Sequence, residues 1–168
     1  AFRSLEEKGL VTVEKNRGVF VRVITAQEAD DIFEVRTALE KIIVSRIAKA
    51  PDCLHNSGLP QLLSKATKLA AKADFSACHA LNIQFHERLA ELAGNHTLLN
   101  TYRRLVNELS LFRQQAHARQ ADASSLKQSV EDHKAVLEAL SMGNQKKALK
   151  VLKLHVDESR KRLQHILS

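Results

Sequence analysis

Four polar side chains of this 168-residue chain occupy positions where a helical protein ordinarily places apolar ones. In the stretch "NIQFHERL", residues 82–89, Asn82 and His86 are four apart and so stand one turn apart on a helix face that also carries Phe75, Leu89 and Ala93. Further along, His133 falls in the middle of the apolar set Leu126, Val130, Leu137 and Leu140. His155 falls in the middle of Ala148, Leu152, Ser159 and Ile166. A single inward histidine is ordinarily a core residue hydrogen-bonded to a neighbour. Imidazoles brought inward by three different helices ask for a shared partner, because an unpaired buried polar group costs about 1–3 kcal/mol. Neutral imidazoles with an amide or carboxylate oxygen suit Zn²⁺ or another divalent ion such as Ni²⁺ or Mn²⁺, and bundle interiors are where such sites are assembled. Asn82, His86, His133 and His155 are therefore the expected metal ligands.

Arg36 repeats the pattern with a cation. It shares a stripe with Ile32, Leu39 and Ile43, where an unpaired charge is costly. Two readings stand: an i,i+4 pair with Glu40, or a guanidinium that reaches the same interior and grips a carboxylate bidentately. Arg46 points nearly as far inward, and Arg103 and Arg104 are the fallback cations, so Arg36 and Arg103 are the expected effector contacts. The remaining histidines, His55, His79, His96, His117 and His165, read as surface or supporting groups. Three imidazoles with open positions could also activate water in a metal-dependent hydrolase. That chemistry needs a general base, and Glu87 and Glu91 lie beside the inward stripe rather than in it, with Glu138 on an outer face.

The elements that must position these groups are almost all helical. Thr25-Ala26-Gln27-Glu28 is a capping box opening a helix to about residue 50. Pro60 suits the first turn of a second helix, to about residue 72. Asp74 can cap a third that ends near Gly94, Asn95 a fourth to about Arg119, Ser124 or Ser125 a fifth stopped by Gly143, and Asn144 a sixth to the chain end. Loops are expected over residues 51–59 and 120–124. Residues 1–24 differ in kind: a helical pattern over 1–8, Gly9 as its stop, then alternation over 10–23 around the tight turn Asn16-Arg17-Gly18. The chain opens without Met and its first helix lacks a start signal, so a preceding portion is expected.

Composition bounds the partners. At 44% hydrophobic and 27% charged, the chain has the make-up of a soluble globular protein, and no apolar run approaches the ~20 residues of a membrane span. No secretory leader is evident, and Cys53 and Cys78 are two isolated thiols rather than a disulfide framework. A cytoplasmic address follows. The net charge of +7 favours a polyanionic partner such as DNA.

Longer stretches resemble a known family. "AFRSLEEKGLVTVEKNRGVFV" is similar to the end of the winged helix-turn-helix of GntR-type transcription regulators. "FEVRTALE", "NIQFHERLAELAGNHTLL" and "EDHKAVLEALSMGNQKKALKVLKLHV" resemble successive signatures of the FadR-type (FCD) C-terminal effector domain, in its VanR-like branch. The resemblance implies an all-α fold, a six-helix antiparallel bundle, preceded by the remnant (helix end plus β-hairpin wing) of a winged domain. The division expected is 1–24 for that remnant and 25–168 for a metal- and effector-binding, dimerising domain. It also implies the ligand roles of Asn82, His86, His133 and His155, a small carboxylate effector, a homodimer without a membrane role, and operator DNA as partner of the full-length protein. Asn82 stands where many members carry Asp, which makes this donor set less anionic.

The function expected is a DNA-binding transcription regulator that senses a small organic acid through a bound divalent metal, and not an enzyme. On the wing, Lys15, Asn16, Arg17 and Gly18 are placed to meet phosphate or the minor groove. Phosphate contacts position a protein without reading sequence. DNA binding by this 168-residue chain is therefore expected to be weak, unselective and steeply salt-dependent. A tight, sequence-selective gel shift with the same chain would place the base-reading surface elsewhere.

Overall fold

A computed structural model describes residue 6 and residues 11–21, 25–120 and 123–167, and of residues 21, 111–120, 166 and 167 the backbone alone. The expected helix over 1–8 lies outside the described residues apart from Glu6. The hairpin is present: β1 (Val11–Glu14) pairs antiparallel with β2 (Gly18–Val21), with Glu14 opposite Gly18. The turn is thus Lys15-Asn16-Arg17, one residue earlier than the sequence suggests. Asn16 adopts φ 64° and Gly18 φ 115°, left-handed conformations that Asn tolerates and Gly adopts without penalty.

Six α-helices follow among the described residues: α1 (Ala26–Lys49), α2 (Leu59–Ala71), α3 (Phe75–Leu92), α4 (His96–Gln120), α5 (Ala123–Ser141) and α6 (Gln145–Leu167). Their starts are set by the caps foreseen in the sequence. Thr25 accepts from the Glu28 N–H while the Glu28 carboxylate accepts from the Thr25 N–H, a complete capping box. Asp74, Asn95 and Asn144 each accept a backbone N–H three residues on, at 3.0, 3.0 and 2.9 Å. One element was not foreseen. Pro51–Leu54 forms a 3₁₀ turn inside the expected loop, with Pro where its missing N–H costs nothing.

In the bundle α6 packs on α5 and α1, α2 on α3 and α5, and α4 on α3 and α1. Three apolar clusters result. The largest joins Ile43, Val44 and Ile47 of α1 to Phe85 and Leu89 of α3, Tyr102 of α4, Val136 and Leu140 of α5, and Leu152 of α6. A second holds Ile32 and Phe33 of α1, Leu109 of α4, and Val156 and Leu163 of α6. A third holds Ala66 and Ala70 of α2, Cys78 and Leu81 of α3, and Val130 of α5. Several helices thus pass from one cluster into another, and they do so at polar residues: α1 at Arg36 and Glu40, α3 at Asn82, α5 at His133 and α6 at His155. The core is divided by a polar layer.

Near the bundle's end, Asp30 in the second turn of α1 accepts from Arg160 Nε at 2.7 Å and from Gln164 Nε2 at 2.7 Å, tying α1 to the last turns of α6. No helix among the described residues is long and apolar enough to cross a membrane.

The capping box closes the first turn of α1, so Thr25→Ala is expected to cost about 1 kcal/mol. In a chain of this size that lowers the melting temperature by roughly 2–4 °C. Calorimetric unfolding measures it directly, and an unchanged melting temperature would show that the first turn of α1 is held by packing alone.

Candidate metal centre

The polar layer is built by helical spacing. His86 on α3, His133 on α5 and His155 on α6 each face the interior from their helix, and each is buried to within 4% of full burial. The three rings turn their Nε2 atoms toward one another. His133 Nε2 lies 3.2 Å from His86 Nε2 and 3.3 Å from His155 Nε2. Phe85 stacks on the His133 ring at a centroid distance of 4.2 Å and fixes its plane.

Each outward ring nitrogen of the other two meets a carboxylate. His86 Nδ1 is 3.3 Å from Glu40 Oε1, and His155 Nδ1 is 3.3 Å from Asp132 Oδ2. A proton on Nδ1, donated to the carboxylate, leaves the lone pair on Nε2, which faces the centre. This is how carboxylates orient metal-binding imidazoles. Ligands about 2.0–2.1 Å from an ion at tetrahedral angles stand roughly 3.3–3.4 Å apart. The observed nitrogen spacings of 3.2 and 3.3 Å fit that edge. Among the described residues, these three are the grouping of His, Cys, Asp and Glu able to share an ion.

Charge in the layer is tightly balanced. Arg36 is buried, donates from Nε to Glu40 Oε1 at 2.9 Å and brings Nη2 within 3.2 Å of His86 Nε2. The pairing with Glu40 is present, and the guanidinium also reaches the His86 ring. Tyr102 donates its hydroxyl to Glu40 Oε1 at 2.7 Å. Burial alone would raise the Glu40 pKa, but the Arg36 charge and the bonds from His86 and Tyr102 outweigh it and hold the carboxyl well below its ordinary range. Burial would lower that of Arg36, and the Glu40 charge reverses this. His86 is pushed down to about 3 by burial and then by the Arg36 charge. His133 falls well below its ordinary value through burial and its charged neighbours, and His155 is lowered by burial despite Asp132. All three rings are neutral, the state that ligates.

A cavity of about 80 Å³ opens beside the rings, lined by His133, His155, Asn82 and His79 among polar groups, and by Ser159 and Arg162 on α6. Asn82 is half-buried in this wall, one turn before His86, and also lines a cleft of about 10 Å³ with Arg36 and Ser110. The expected ligand set therefore converges on one region, with Asn82 at its border. Arg36 lies behind His86 and does not line the larger cavity. Arg103 is not brought to the site: it ion-pairs with Glu91 and, at 3.7 Å, with Glu87 on the outer face, where its charge is cheaply solvated. Arg104 pairs with Glu108, and Arg46 is exposed and donates to the Ala93 carbonyl. On the wing, Lys15 and Asn16 are exposed at the tip and Arg17 is paired with Glu14.

His79 departs from the sequence reading. It is buried, lines both cavities and lies 3.4 Å from Ser110 Oγ. His55, His96 and His165 are exposed, and the side chain of His117 is outside the described residues. Two functional partners escaped sequence reasoning altogether, Asp132 and Tyr102. Each acts across a helix pair, which single-helix periodicity does not report.

Residues 31–158 match the FCD domain family. The chain is 23% identical over 168 residues to the HTH-type transcriptional regulator YdhC of Bacillus subtilis (strain 168), itself uncharacterized, covering 99% of this chain and 74% of that one. It is 28% identical over 135 residues to the Nta operon transcriptional regulator of Aminobacter aminovorans, covering 79% of this chain and 60% of that protein. In structure it is similar to a chain described as a GntR transcriptional regulator from Rhodococcus sp. RHA1, with TM-score 0.79, 25% identity and coverage of 96% and 76%. The fold of E. coli McbR/YncC also matches, with TM-score 0.85 at 17% identity and coverage of 96% and 80%.

The neutral imidazoles set the response to acid. Folded pKa values depressed below the unfolded value of about 6.5 mean that the unfolded chain binds more protons, so stability rises with pH across that interval. For His86 the interval runs from about 3 to the unfolded value. Chelator-treated protein is therefore expected to lose stability progressively from about pH 6.5 downward, measured as urea midpoints. A midpoint that stays level down to about pH 4 would mean that the rings are not buried as neutral groups.

Proposed function

Because the chain belongs to the FCD-domain transcriptional regulators of the GntR family, we propose that its bundle senses a small organic acid through a divalent metal, with Zn²⁺ the best fit. The observation that carries this reading is the convergence of three neutral ring nitrogens at 3.2 and 3.3 Å, two of them, on His133 and His155, in residues that line a cavity. His86, His133 and His155 would hold the ion, and Asn82 would offer a neutral oxygen beside them. Bound there, the ion supplies a Lewis-acid position for a carboxylate oxygen.

Arg36 completes the arrangement. Its Nη2 now donates toward the His86 Nε2 lone pair. Once that lone pair is engaged by a metal, the N–H needs another acceptor, and an effector carboxylate beside the ion is the available one. Glu40 keeps the guanidinium in place through Nε, and Tyr102 keeps Glu40 in place. The wing residues Lys15, Asn16, Arg17 and Gly18 belong, in this reading, to a DNA-binding unit ending near residue 24, and 25–168 to the sensor. Two copies pairing as a homodimer would present two such units to operator half-sites. The relatives and folds matched are regulators and not enzymes.

Elemental analysis of protein prepared without chelator is expected to find one metal ion per chain. His133→Ala and His155→Ala should abolish most of the affinity, while Asn82→Asp should tighten it by adding a charge. With metal present, short carboxylic acids should stabilise the fold by about 2.7 kcal/mol at a hundredfold excess over Kd. Absence of metal at these residues, with the histidine variants equally stable with and without added Zn²⁺, would reduce the polar layer to a hydrogen-bonded core.

A further inference from the structure

We propose that Arg162 is a second anion anchor of the same cavity, so that the acid sensed is a short dicarboxylate of about three to five carbons and not a monocarboxylate. This rests on the acid-sensing function proposed above and specifies its ligand.

The cavity wall carries one guanidinium and, among the described residues, no carboxylate. Arg162 differs from the other bundle arginines whose side chains are described. Arg36, Arg46, Arg88, Arg103, Arg104 and Arg160 each hold a protein acceptor. Arg162 makes no hydrogen bond or ion pair among the described residues, and Glu158 and Asp132 act on it only at a distance. It sits exposed at the rim, and its partial burial lowers its pKa from the ordinary guanidinium value yet leaves it charged. A cation at the mouth of a cavity that offers it no acceptor gains a partner in a carboxylate that fills that cavity.

The spacing fits a short chain. His155, Ser159 and Arg162 lie at i, i+4 and i+7 on one face of α6, and all three line the cavity. Seven residues of helix span about 10 Å, and long side chains lean back toward the helix N-terminus, so the guanidinium approaches the imidazoles from two turns away. The cavity volume of about 80 Å³ corresponds to roughly five to eight waters at about 10–15 Å³ each. That is the space of a small diacid, with one carboxylate at the ring nitrogens and the other at Arg162. Ser125 and Ser129 on α5 and Ser159 on α6 line the same space, a lining that suits a polar chain better than an alkyl one.

Calorimetric titration of Zn²⁺-loaded protein with malonate, succinate and glutarate, each against the monoacid of equal carbon number, tests the proposal. At least one diacid is expected to bind about tenfold or more tightly than its monoacid. Arg162→Gln should erase that preference, and its unliganded melting temperature should match the parent's. If Arg162→Gln retains the preference, or if monoacids bind the parent as tightly as diacids, the Arg162 anchor is wrong while acid sensing stands. If no acid of either series binds the parent, acid sensing itself falls and the anchor falls with it.

Discussion

A guanidinium and a carboxylate buried side by side at 2.9 Å organise this bundle. Neither Arg36 nor Glu40 could be left without the other in that interior at no penalty, because an uncompensated buried ion costs several kcal/mol. Together they set the directions of two further groups. The second oxygen-bound partner of Glu40 is the Tyr102 hydroxyl, which locks α4 against α1. Its third is His86 Nδ1, and that contact decides which nitrogen of the ring faces the centre. The orientation of the site therefore follows from an ion pair one turn long on a single helix. Buried pairs of this kind add little net stability compared with apolar residues of similar volume. What this one provides is a fixed tautomer and a fixed ring.

The polar layer has a cost that the apolar clusters must offset. Arg36, Glu40, His86, His133 and His155 occupy the middle of the bundle, where aliphatic side chains would otherwise join three clusters into one. Among the described residues no buried side-chain nitrogen or oxygen lacks a hydrogen-bond partner. The layer is thus compatible with folding as it stands. The three Nε2 atoms are nevertheless gathered more closely than the contacts of His86 and His155 with their carboxylates require, a spacing that would admit a cation.

Much of this was legible in the sequence because helical caps and stripes are local. Thr25, Asp74, Asn95 and Asn144 announced four helix starts through their own side chains. His86, His133 and His155 stood out because each interrupts an apolar stripe, and their inward placement follows from 3.6-residue periodicity alone. The unread parts are those that depend on relations between helices. Asp132 adjoins His133 in sequence but serves His155 on the next helix. Arg36 was rightly turned inward, yet a helical wheel gives direction and not depth, so its position behind His86 was hidden. His79 looked peripheral because its own stripe is weak, and it is buried by the approach of α4 near Ser110. Arg162 lies within the basic run "SRKRL", which reads as a solvated face until α5 and α2 enclose the cavity beside it. The 3₁₀ turn of Pro51–Leu54 is too short to carry a period.

The tie between Asp30 and the end of α6 gives the bundle a lever. α6 runs for 23 residues, about 34 Å at 1.5 Å per residue, and a hydrogen-bonded helix of that length moves as a rod. His155 is a grip near its middle, and Arg160 and Gln164 hold Asp30 near its far end. Asp30 in turn lies one turn beyond the capping box that follows the hairpin. A tilt of the rod about its packing on α5 would be largest at that far end, so a displacement of His155 smaller than a bond length would reach the start of α1 enlarged rather than damped.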